Sequence, residues 1–66
     1  MPRNRLLAQI DEELLHARGS LKFWRDQLLL LAGTEYQSAA RRQVIHRESE
    51  ISQLLETQEL LHGPSN

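Results

Sequence analysis

The sequence predicts an all-α protein, an antiparallel two-helix hairpin of coiled-coil type. Three observations carry that expectation. Apolar residues recur at spacings of three and four along two long stretches. Apart from Gly19, glycine and proline fall only between those stretches or at their ends. The two stripes also pair layer by layer when the second is laid backwards along the first.

The first stripe comprises Leu7, Ile10, Leu14, Ala17, Leu21, Trp24, Leu28 and Leu31, an unbroken run of a and d heptad positions. A strand would need alternation, which is missing. A helix is expected over about residues 4–31. The heptad phase runs unchanged across Gly19. This favours a helix glycine costing ~1 kcal/mol against alanine over a break in which Ser20 caps a new helix.

A turn is expected over 32–35. Gly33 suits the left-handed residue after a helix C-terminus. Thr34 and Gln37 have the spacing of a capping box, with Thr34 as N-cap. Glu35 would then sit in the first turn of the next helix, at the positive end of its dipole. So short a connection makes the two helices antiparallel neighbours.

The second helix is expected over about 35–62. Its stripe is Ala40, Val44, Arg47, Ile51, Leu54, Gln58 and Leu61, stopped by Gly63-Pro64. Ser65 and Asn66 are expected to fray. Opposed residues in an antiparallel pair have a constant number sum. Here Leu28 meets Ala40, Trp24 meets Val44, Leu21 meets Arg47 and Ala17 meets Ile51. Leu14 then meets Leu54, Ile10 meets Gln58 and Leu7 meets Leu61. Large residues tend to oppose small ones, as interdigitated packing requires. The stems of Arg47 and Gln58 can lie on apolar neighbours while their heads reach water. One charge pair across the hairpin, Arg18 with Glu48, is expected.

Composition narrows the function. The chain has 66 residues, a formal charge of -1 and no cysteine. One small domain over 1–66 is expected, near the lower size limit for folding alone. Without cysteine there is no disulfide framework, thiolate metal site or thiol nucleophile. Near neutrality makes nucleic acid a poor partner, since such binding rests on excess positive charge. The local basic cluster of Arg41, Arg42 and Arg47 is followed on the same helix by Glu48, Glu50, Glu56 and Glu59. A solvated or partner-pairing face is therefore expected there.

The longest apolar run, Leu28 to Ala32, falls far short of the ~20 residues of a membrane helix. The basic start Met1–Arg5 leads into an apolar stretch that Asp11-Glu12-Glu13 ends too soon for a secretory signal. A cytoplasmic protein that engages no membrane is expected.

No enzymatic constellation stands out. His46 and Glu50 have a spacing that can share a metal, but nothing else converges with them. The carboxylates of Asp11, Glu12 and Glu13 point in different directions on a helix. Two helices cannot enclose the pocket that a general acid needs. No enzyme, cofactor or resident metal is expected.

What remains is apolar surface off the seam. Leu15, Phe23, Leu29 and Leu30 fall on b and c positions of the first helix, where a solvated face should be polar. Ile45 and Leu60 lie off the seam of the second helix, and Tyr36 stands at the tip. Burying one leucine or phenylalanine contributes ~1.5–3 kcal/mol, while ordering a residue costs ~1.5 kcal/mol. A lone hairpin with one narrow seam is thus close to break-even. Docking onto another helical surface through Leu15, Phe23, Leu29, Leu30, Tyr36 and Ile45 is the expected function. The alternative is a homodimer in which two hairpins form a four-helix bundle.

In length, lack of cysteine, paired helices and the stretch Gly33-Thr34-Glu35-Tyr36-Gln37, the chain resembles the small E-type co-chaperones of the bacterial type III secretion needle (the YscE/PscE/AscE type). The shared design covers most of the chain, and the motif only those five residues. Beyond Gln37 the two patterns do not align residue by residue, so only a tip role for Tyr36 carries over. The resemblance implies a cytoplasmic, non-enzymatic protein connected with virulence. It would pair with a larger helical-repeat chaperone, and together they would keep the needle subunit from polymerising before export.

Overall fold

The computed structural model describes residues 2–63. Two helices, α1 (Pro2–Leu30) and α2 (Gln37–His62), run antiparallel and are packed along one another. The described residues contain no strand. The hairpin is a rod 48 Å long and 18 by 13 Å across, close to the ~1.5 Å rise per residue of its 29-residue first arm. The fraying expected at Ser65 and Asn66, and the stop expected at Pro64, lie outside the described residues.

Every stripe position predicted from the heptad phase is buried or half-buried. Ile10, Leu14, Ala17, Ala40 and Val44 are the most deeply covered. Three of these, Ala17, Ala40 and Val44, are the small members of their layers. Their large partners Ile51, Leu28 and Trp24 stay half-buried. The reason is geometric: a single seam between two rods has no lateral walls. A short side chain disappears beneath its partner, whereas a long one overhangs into water. The hydrogen bond from Gln58 to Asp11 spans 2.6 Å one residue away from the predicted Ile10–Gln58 layer, as that register requires.

α1 is continuous through Gly19, whose backbone is helical. The turn differs from expectation in detail. Gly33 does take the left-handed conformation, at φ +82°, but α2 begins at Gln37, two residues later than predicted, with Tyr36 at the N-cap position and no side chain capping from it. The capping groups are those expected, shifted along the chain. The Thr34 hydroxyl donates to the Leu31 carbonyl at 2.6 Å and accepts from the Tyr36 amide at 3.2 Å. The Gln37 side-chain carbonyl accepts from the Gly33 amide at 3.1 Å, not from Thr34. One hydroxyl therefore links the Leu31 carbonyl just past α1, which also accepts from the Thr34 amide at 3.0 Å, to the free amide before α2. Glu35 consequently precedes the helix, and the first turn of α2 carries no acidic residue. At the far end Gly63, at φ +87°, donates its amide to the Leu60 carbonyl.

The charge pair across the hairpin also differs. Glu48 bonds Arg25 at 3.0 Å, not Arg18. Helical side chains lean toward the N-terminus of their own helix. In antiparallel helices that makes Arg25 lean toward the open end and Glu48 toward the tip, so the two converge. Arg18 starts on the open-end side of Glu48 and leans further away.

Candidate docking face

The residues expected to bind a partner are all exposed: Leu15, Phe23, Leu29 and Leu30 on α1, Tyr36 in the turn and Ile45 on α2. They do not form one patch. At ~100° per residue, Leu15, Phe23, Leu29 and Leu30 share an arc of about 120° on the side of α1 turned away from the seam. Phe23, Leu29 and Leu30 gather toward the tip, and Leu15 lies two turns nearer the open end. Ile45 belongs to the other helix and Tyr36 to the loop.

Leu14 and Leu15 show how sharply the helix divides its two sides. Leu14 is 4% exposed and its neighbour 73%. Leu29 is 79% exposed and Leu30 74%. Phe23 is less bare, at 54%, because its ring meets the seam residue Trp24 edge to face, 5.2 Å between centroids and 83° between planes. That contact braces the phenyl ring from beneath. The face thus has one held aromatic and three leucines free to be covered.

Three further exposed leucines complete the surface. Leu60 is off the seam, as predicted. Leu6 and Leu55 were not anticipated: they sit on g and e shoulders beside the seam, at 46% and 42% exposed. Their heptad letters carry the signal, since shoulder positions of a two-helix seam are only half covered.

A shallow cavity opens on the outer side of α1 at Gly19, lined by Glu12, Leu15, His16, Gly19 and Ser20. A Cβ on Gly19 would meet nothing within 4 Å. Nothing inside the hairpin calls for glycine there, and its absent side chain leaves a notch four residues from Leu15 and four from Phe23.

An open polar groove runs between the helices, lined by Glu12, Glu13, His16, Ala17, Ser20, Arg47 and Glu50. It arises where small Ala17 and Ser20 lie near the long stem of Arg47. The Arg47 guanidinium pairs with Glu50 at 3.0 Å, while its Nε is buried without a partner. Among the described residues no three His, Cys, Asp or Glu side chains group to hold a metal ion. The described residues place no third ligand beside His46 and Glu50. No described helix is long and apolar enough to cross a membrane. Comparison of the chain with protein-family models, with curated proteins and with solved structures finds no match.

Proposed function

We propose that this chain is a non-enzymatic protein-binding module that docks through the outer side of α1. One observation carries the proposal: Leu15, Phe23, Leu29 and Leu30 stand exposed on a single side of a helix whose other side is already committed to α2. Covering them would add ~1.5–3 kcal/mol per side chain to a hairpin that is otherwise close to break-even. The partner surface is a groove between helices, into which an amphipathic helix lays its apolar side. Binding the folded form would in turn hold the hairpin folded by mass action.

The finer reading rests on the resemblance in hairpin design and in Gly33–Gln37. The partner is a larger helical-repeat chaperone, and the pair keeps a type III secretion needle subunit unpolymerised in the cytoplasm. Tyr36, exposed at the tip, would touch that assembly.

The test is co-purification from the native host. The wild-type chain should bring down a helical-repeat protein. The double variant F23E/L30E should lose it while its helical circular dichroism stays unchanged, because neither side chain lies in the seam. Undiminished capture by the folded double variant would sink the proposal.

A further inference from the structure

The outer side of α1 carries a pattern that fits itself. Leu15, Gly19, Lys22, Asp26 and Leu29 are spaced 4, 3, 4 and 3, a second heptad stripe behind the first. The segment from Gly19 to Leu29 is symmetric in spacing and complementary in character. Gly19 lies three residues before Lys22, and Leu29 three residues after Asp26. Run antiparallel against its own copy, this stripe places Lys22 opposite the other chain's Asp26, and Leu29 over the notch at Gly19. Phe23, on the shoulder of the stripe, then meets its own copy near the two-fold axis.

From this juxtaposition we propose that, when no other partner covers it, the outer side of α1 is occupied by a second copy of this chain in an antiparallel, two-fold arrangement. The inference rests on the reading of that face as a docking surface and adds its occupant in the unbound state.

Each element answers a feature that the single hairpin leaves unexplained. Lys22 and Asp26 take part in no ion pair among the described residues. Their order, base before acid at a spacing of four, is the less favourable one within a helix. Across the two-fold axis they form two reciprocal pairs of opposite charge, as an isologous interface requires. Gly19 is disfavoured in a helix interior, and a Cβ there would have open space. A leucine from the other chain fills that space. Leu29, the most exposed large apolar residue of α1, is the side chain that reaches it. A parallel arrangement would set Lys22 against Lys22 and Asp26 against Asp26, so charge excludes it. Arg25, beside the stripe, approaches its own copy in the antiparallel pair, and Glu48 already compensates it at 3.0 Å.

Self-association occludes Leu29 and Phe23, which the proposed function offers to a different protein. The second copy and the partner therefore compete, and the partner must displace the copy.

Sedimentation equilibrium on the purified chain, over roughly 1 µM to 1 mM, tests the inference. A reversible monomer–dimer equilibrium is expected. K22D alone and D26K alone each set like charges face to face at two places and should raise the dissociation constant by about 100-fold or more. An equimolar mixture of K22D and D26K chains restores both opposite-charge pairs and should dimerise to within about 3-fold of wild type. Since both positions are exposed, helical circular dichroism should stay constant throughout. Three outcomes overturn the inference: a chain that is monomeric across the range, a K22D dimer as tight as wild type, or a mixture that does not associate. A monomeric wild-type chain that still captures a helical-repeat protein overturns this inference alone. A dimer that captures nothing overturns the proposed function alone.

Discussion

The two sides of α1 are built from the same residue types and meet opposite fates. The inner side holds Ile10, Leu14 and Ala17 buried under α2. The outer side holds Leu15, Phe23, Leu29 and Leu30 bare. Hydrophobicity alone does not separate them, since Leu14 and Leu15 are adjacent and chemically identical. What separates them is phase: α2 presents one stripe and covers only what lies within reach of it. Stability therefore comes from one side of the helix, and the other side is free to hold information for binding.

The sharpest way to break this contrast is to truncate the two neighbouring leucines. Leu14→Ala removes a buried side chain from a seam with few others and should cost about 2–4 kcal/mol. In so small a domain that is a large part of the total stability, so the variant should be largely unfolded near room temperature. Leu15→Ala should shift stability by less than ~0.5 kcal/mol. Urea titrations followed by circular dichroism at equal low concentration decide it. Equal effects of the two truncations would mean that the outer side is covered in the isolated chain.

Next in size is a pair of glycine substitutions of opposite sign. Gly33 sits at φ +82°, where an L side chain is strained by ~1–2 kcal/mol. Gly33→Ala should destabilise by that amount and lower the melting temperature. Gly19 is helical with open space at its Cβ, so Gly19→Ala should stabilise by ~0.5–1 kcal/mol. A rise in melting temperature for both would show that the turn does not need its left-handed residue. If Gly19→Ala lowers the melting temperature of dilute monomer, the notch has a role inside the hairpin.

The seam was legible because heptad periodicity is a long-range signal. All of Leu7 to Leu31 and Ala40 to Leu61 on the stripe vote for one phase, and an error at any single layer is outvoted. The exposed set Leu15, Phe23, Leu29 and Leu30 followed from the same phase. The turn was legible only in part. Gly33, Thr34 and Gln37 were the right residues, but a hydroxyl three residues from a carbonyl and two from an amide can cap either helix. Thr34 serves both ends, and the start of α2 moves to Gln37. Leu6 and Leu55 were missed because shoulder positions are neither inside nor outside. Trp24 beneath Phe23 was a seam residue in the sequence, but its bracing of the outer ring depends on rotamers that spacing does not encode.

The smallest expected effect sharpens the contrast between grease and charge. Arg25 and Glu48 are bonded at 3.0 Å, with side chains 59% and 49% exposed. Such a pair contributes only ~0.2–1 kcal/mol. A double-mutant cycle of Arg25→Ala and Glu48→Ala should return a coupling in that range, and 1 M salt should erase it by screening. The corresponding cycle of Arg18→Ala with Glu48→Ala should return none, because those side chains lean apart. The loss on Leu14→Ala should survive the same salt, since burial is not screened. A coupling of Arg18 with Glu48 larger than that of Arg25 would mean that α2 has slid along α1. Every apolar layer would then have to be reassigned with it.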